Sequence, residues 1–404
     1  MRSIAPPLRG ARIANSFAFG LQGFFFAVVL TALPQQKERF DLSDGLIVAS
    51  VVLVSLLAGG GSVAAERLAL RWSSRDTVRI GLLLVAISGA AVAFAPNTEG
   101  LLIALGGYGL AVGVVDASTN MQAVFVQRGY GTFILSSFYA AWSAGAISGA
   151  LFVSTAAALQ APLRATLLGA AGIVLVAGLL LGPCLLGAQD AESSPAATVA
   201  ADDNPVSVRA YLVFGIAMAL VFAVDLAVGN WSALYLTDDL LADSATAALA
   251  LAAYQGTSLA ARMGGDLMVR RFGPQRVVRG AASVGVLGLA IVVAAQEPVV
   301  AIGGFLAAGI GLPVIAPLCF SAAGQLAGGS DLDALIARLN LFNYLGTLVG
   351  GGVVGAVAAA FGHRVGFVIP LSFAAFLIVL AGRFGPHGAG TDVSHLNTSP
   401  SARP

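Results

Sequence analysis

The residues of this chain best suited to chemistry are acids and amides set inside apolar runs. Asp116 stands in Gly113-Val114-Val115-Asp116-Ala117-Ser118-Thr119-Asn120-Met121-Gln122, within a long hydrophobic stretch. A carboxylate at the centre of a bilayer costs about 2.5–3.5 kcal/mol on insertion scales, so it is expected to face a cavity or a partner. Thr119 and Asn120 follow three and four residues later, on the same helical face. Together they form a proton carrier beside an amide able to hold a polar solute. Asp225, in Phe222-Ala223-Val224-Asp225-Leu226-Ala227-Val228-Gly229-Asn230-Trp231, is the second such acid. Its position suits a second proton-coupling site, a substrate contact or part of an external gate.

A weaker polar set accompanies these acids. Asn15 and Gln22 lie seven apart in the first apolar run, and Asn340, Asn343 and Tyr344 share one side of a late one. Trp142, Trp231 and Gln255 complete the candidate substrate contacts. Such residues join membrane helices or line a cavity between them. Neither a phosphate-cradling glycine loop nor a nucleophile elbow nor a metal-ligand cluster is visible, so an enzyme, a bound cofactor and ATP-driven transport are not expected. Histidine is confined to His363, His387 and His395. Cys184 and Cys319 lie in apolar runs and read as small buried hydrophobes.

The elements that must position these residues are membrane helices. Of 404 residues, 58% are hydrophobic and only 10% charged, where a soluble chain carries about a quarter charged. The net charge of +1 points to no nucleic-acid partner. Spans of roughly 20 apolar residues fit twelve times, at 11–34, 44–65, 78–95, 101–126, 133–159, 163–186, 208–236, 245–269, 277–296, 299–326, 335–361 and 365–382. The polar stretch 187–207 reads as a linker between six-span halves at 1–186 and 208–383, and 384–404 as a disordered tail. With both ends cytoplasmic, all but Lys37, Arg39, Arg164 and Arg364 of the 21 Lys+Arg fall on that side, as the positive-inside rule requires.

A short charged loop occurs twice. Ala65-Glu66-Arg67-Leu68-Ala69-Leu70-Arg71-Trp72 and Gly265-Asp266-Leu267-Met268-Val269-Arg270-Arg271-Phe272 place acid opposite acid and aromatic opposite aromatic. A duplicated membrane domain with matching loops is the sequence form of an alternating-access transporter. The acids read as latches: each is expected to meet the start of a helix in the opposite half, favoured by the helix dipole and an arginine. Arg338 is the expected partner of Glu66, and Arg71 and Arg271 complete the gating set.

These loops resemble the signature of the major facilitator superfamily. The second copy, Arg262-Met263-Gly264-Gly265-Asp266 through Arg271-Phe272-Gly273, is the better match; the first has Ser73-Ser74 where glycine is usual. Within the superfamily the chain is similar to the bacterial fucose-permease-like group in the Asp116–Gln122 segment, in Trp142-Ser143-Ala144-Gly145 and in Trp231-Ser232-Ala233-Leu234-Tyr235. The resemblance implies two pseudo-symmetric six-helix bundles in a bacterial inner membrane, with Asp116 at the proton-coupling position and Asn120 as a nearby amide. The group's sugar permeases also carry an acid in the first span, and none lies between Met1 and Lys37 here. The span-5 motif of antiporters is matched only at Gly145 and Gly149, without its proline.

The expectation is a monomeric, proton-coupled secondary transporter of a small organic solute. Export of a drug-like or secreted metabolite is the alternative within transport, and a non-transporting membrane sensor is the alternative outside it.

Overall fold

The chain is described here by a computed structural model, covering residues 6–187, 208–326 and 329–385. Local signals set the helix ends. Ser43, Ser73, Asn97 and Asp243 each accept a hydrogen bond from a backbone N–H of the following first turn, which satisfies donors a helix start leaves free. Gly131, in the left-handed region at φ 62°, ends one helix, and Pro274 opens another where its missing N–H costs nothing.

The helices of the first half are α1 (Pro6–Phe40), α2 (Asp44–Arg71), α3 (Ser74–Phe94), α4 (Thr98–Tyr130), α5 (Leu135–Ala158) and α6 (Leu163–Leu181). Those of the second are α7 (Val208–Leu234, continued by a π-turn to Asp239), α8 (Ser244–Phe272), α9 (Pro274–Ala294), α10 (Pro298–Ala323), α11 (Gly329–Leu348, continued through a π-turn to Phe361) and α12 (His363–Phe384). Eleven of these are long and apolar enough to cross a membrane. The twelfth, α8, has 29 residues, but Thr246, Tyr254, Gln255, Thr257 and Ser258 dilute its first half and Arg262, Asp266, Arg270 and Arg271 its second, so its apolar content falls short. Several helices overrun the expected spans: α2 continues to Arg71 rather than ending near residue 65, because its charged last turns project beyond the apolar layer. The linker beyond residue 187 and the tail beyond residue 385, with His387 and His395, lie outside the described residues.

The two halves repeat one packing scheme. In the first, α1 packs on α5, α2 on α4, α3 on α4 and α3 on α6; in the second, α7 packs on α11, α8 on α10, α9 on α10 and α9 on α12. Small residues make the matched seams possible. A Cβ at Gly145 or Gly149 would overlap the α1 backbone at Gly20 or Phe24, and one at Gly346 or Gly350 would overlap the α7 backbone at Ala219 or Ala223. These glycines therefore serve close helix approach.

Between the halves, α2 meets α11 and α5 meets α8, which is the same contact made twice by a pseudo-twofold axis. Large apolar side chains ring the outside: Ile103, Leu180 and Val379 are 76%, 72% and 72% exposed. In water this surface would be untenable, and in lipid it is the expected exterior. The protein is a multi-pass membrane protein. Cys319 is buried as expected, but Cys184 is exposed, since it sits in the last turn after α6 rather than inside the bundle.

Candidate functional site

The two halves meet around Asp116 of α4. Its Oδ1 accepts a hydrogen bond from Gln22 Nε2 of α1 at 3.1 Å. Its Oδ2 accepts from Asn340 Nδ2 at 2.9 Å, Asn343 Nδ2 at 3.1 Å and the Tyr344 hydroxyl at 3.0 Å, all on α11. A carboxylate has about four acceptor positions, and here four donors use them. The three α11 residues expected to line a cavity thus converge on an acid of the other half. Asn340 also donates to Ser62 Oγ of α2 at 3.1 Å. The side-chain carbonyl oxygens of Gln22 and Asn340 are buried without a partner. Either amide can rotate to offer that oxygen to a protonated Asp116, so the cluster can accommodate both charge states.

Asn120 is fully buried and faces elsewhere: its amide donates to the Asp116 backbone carbonyl at 2.9 Å and its oxygen accepts from the Tyr139 hydroxyl at 3.1 Å. Asn15, also fully buried, donates to the Thr119 carbonyl at 3.1 Å and joins α1 to α4. Trp142 is half-buried against Phe26, with ring centroids 5.7 Å apart. Trp231 packs within the second half, donating to the Gly350 carbonyl at 3.3 Å. Gln255 is exposed and joins neither cluster.

A second charged cluster lies on α7 and α8. Asp225 accepts a hydrogen bond from the Tyr254 hydroxyl and stands 3.6 Å from Arg262 Nη2. Arg262 reaches across the interface to Ser143 Oγ of α5 at 2.8 Å, with the Tyr139 ring 5.8 Å from its guanidinium carbon. Arg262 was visible in the sequence only as part of the duplicated-loop motif. It lies four residues before Asp266, one helical turn, so it shares the face that Asp266 turns toward the other half; that spacing was the available signal. Tyr139, Tyr254 and Ser62 were missed because a single hydroxyl in an apolar run gives no pattern.

The cross-half contacts expected of Glu66 and Asp266 are present at the end carrying the duplicated loops. Asp266 accepts hydrogen bonds from the backbone N–H groups of Ser136 and Ser137, both at 2.9 Å, at the start of α5. No side chain of α5's own N-cap residue, Ile134, caps that helix; Asp266 does so from the opposite half. Glu66 meets Arg338 at 2.7 Å. Around them Arg270 donates to the Phe133 carbonyl, Gln127 to Ser321, and Arg128 to the Gly324 carbonyl. Arg71 and Arg271, expected to gate, lie over the neighbouring Trp72 and Phe272 rings; of the arginines in the two duplicated loops, Arg270 reaches across the interface. These cross-half bonds all fall between mid-helix and the loop end, which is therefore closed. His363, at the start of α12, binds Asp239 at 3.2 Å, and among the described residues no group of three or more His, Cys, Asp or Glu could hold a metal.

Comparison with known proteins agrees with this architecture. A family model for the Major Facilitator Superfamily matches residues 212–396. An uncharacterized transporter of Sinorhizobium fredii, y4wD, is 29% identical over 394 residues, covering 94% of this chain and 99% of the relative. An uncharacterized MFS-type transporter of Yersinia pestis is 27% identical, covering 86% of this chain and 88% of its own length. Among solved structures, the transporter FucP in its outward conformation superposes with a TM-score of 0.75 at 18% identity, covering 95% of this chain and all, 100%, of FucP. The human organic anion transporter MFSD10 gives 0.75 at 15% identity, covering 93% and 100%. The fold is that of the major facilitator superfamily, and the chain is similar to transporters ascribed to it. The fucose permease is among these neighbours in fold.

Proposed function

We propose that the protein is a proton-coupled secondary transporter of a small organic solute in a bacterial inner membrane, with both termini and the latch end in the cytoplasm. The single observation that carries this reading is the Asp116 cluster. Three of the four donors to the carboxylate come from the opposite half. Protonation turns one acceptor position into a donor, so one of the four contacts must leave or rotate, and neutralising the carboxylate weakens the three charge-assisted bonds from α11. The proton thus changes how tightly α4 is tied to α11, and the tie is one the halves must break to rock. FucP is described as a fucose:proton symporter, which supports proton coupling on this fold; the missing first-span acid separates this chain from the sugar carriers.

In the closed-latch state described here the site is entered from outside. Protonation of Asp116 and entry of solute loosen the mid-helix contacts, the latches open, and both are released inward. One charge moving through about 100 mV supplies ~2.3 kcal/mol, enough for roughly a fifty-fold gradient. The test is flux in proteoliposomes under an imposed pH gradient, using solutes identified by a ligand-dependent thermal-shift screen on the purified protein. Asp116→Asn is expected to abolish uphill accumulation while preserving exchange of solute down its own gradient. Unchanged accumulation by that variant defeats the coupling role of Asp116. The direction of accumulation under the gradient separates uptake from export.

A further inference from the structure

We infer that the transported solute carries a carboxylate, and that this carboxylate docks on Arg262 in competition with Asp225. The inference rests on the transport reading above and names the substrate class of the same interface. Arg262 is only 5% exposed, yet its guanidinium is under-used. Of its five N–H donors, one set reaches Ser143 at 2.8 Å. Nη2 stands 3.6 Å from Asp225, beyond a good hydrogen bond. Nε is buried and has no partner at all.

A buried guanidinium with a free Nε edge is built for a planar, bidentate anion. The groups around it fit that role. Asp225 is held by Tyr254 through its other oxygen, so it can give up Arg262 without losing its last partner. Its side chain is 24% exposed, which leaves an approach to the pair from the open side. Ser143 anchors the guanidinium from the first half, so an anion on Arg262 is felt by both halves. The Tyr139 ring, 5.8 Å from the guanidinium carbon, covers the cation with an aromatic group rather than another charge.

The experiment measures binding of benzoate and butyrate against their neutral counterparts, benzamide and butyramide. It uses calorimetry on the full-length protein in nanodiscs at fixed pH and ionic strength. Each acid is expected to bind at least tenfold more tightly than its amide. Arg262→Gln is expected to remove that preference. Asp225→Asn, which deletes the competing charge, is expected to tighten acid binding severalfold while leaving the amides unchanged. If Arg262→Gln does not fold, as judged by size-exclusion chromatography, the Asp225→Asn result decides alone. No preference for acid over amide, undetectable binding of both included, overturns the inference, and so does an acid affinity that Asp225→Asn leaves unchanged or weakens. Acid binding without proton-driven uptake would leave the substrate class standing and defeat the transport reading. Asp116-dependent accumulation of a neutral solute with no acid preference would do the reverse.

Discussion

Glu66 and Asp266 occupy matching places in the duplicated loop, but they close the molecule by different means. Asp266 takes two backbone N–H groups at the start of α5; Glu66 takes the side chain of Arg338. The difference lies in where the facing helix begins. α5 starts at Leu135, so Ser136 and Ser137 fall in the first turn, where N–H groups have no partner within the helix. α11 starts at Gly329, more than a turn before Ile336, Ala337 and Arg338, whose N–H groups are already used inside the helix. A side chain must therefore answer Glu66. The pseudo-twofold axis preserves the position of the contact, while helix length decides its chemistry.

The two latches should also differ in strength. Asp266 is only 9% exposed and uses both oxygens on a helix N-terminus. The Arg338 side chain is 59% exposed, and exposed ion pairs contribute about 0.2–1 kcal/mol. The largest effect is accordingly expected from Asp266→Ala. Loss of charge-assisted hydrogen bonds worth about 1.5–3 kcal/mol each should shift the population toward the loop-open state by ten-fold or more. Distances between spin labels at Trp72→Cys and Phe272→Cys, with Cys184 and Cys319 replaced, report it. A shift no greater than that of Glu66→Gln would break the comparison.

The matched seams come next. Gly350→Leu and Gly145→Leu should each lower the melting temperature of the purified protein, through overpacking of about 1–3 kcal/mol. Gly352, where an added Cβ meets nothing within 4 Å, should tolerate alanine with little change. A smaller effect is expected from Glu66→Gln or Arg338→Ala, a few-fold in population, corresponding to ~1 kcal/mol or less. High salt should reproduce it in the unmutated protein by screening the exposed pair, while leaving the Asp266 contact in place.

The smallest effect concerns Asp243, which caps the far end of α8. The Thr246 hydroxyl, together with the Thr246 and Ala245 N–H groups, holds its carboxyl below the usual carboxylate range. A depressed folded value means that its contribution is fully present above the unfolded pKa of about 3.9 and is lost as pH falls through the lower folded value. Asp243→Asn should flatten that part of the melting temperature against pH, lowering it slightly near neutrality, where the contribution is present, and matching the unmutated protein at low pH.

Much of this was legible from residue order. Apolar run length located the twelve helices, since a bilayer sets their minimum length, but not their polar ends, where α1 and α2 run about six residues past the expected spans. The loop duplication gave the symmetry. The positions of Glu66 and Asp266, acids just ahead of arginines that cannot enter lipid, pointed to contacts with the opposite half, the Glu66–Arg338 pair among them. Periodicity also showed that Asn340, Asn343 and Tyr344 share a side.

What only the tertiary structure decided is which neighbour each side faces. A 3.6-residue period defines a stripe on a helix but not the helix opposite it, so the α11 residues could be read as a cavity wall when they are donors to Asp116 across the interface. Arg262 was hidden for the same reason: its motif reads as a loop, and only packing turns it inward between Asp225 and Ser143. Charge and hydropathy along the chain determine what must leave water. The docking of two bundles, a matter of helix lengths, glycine seams and rotation about the pseudo-twofold axis, determines which buried groups then meet.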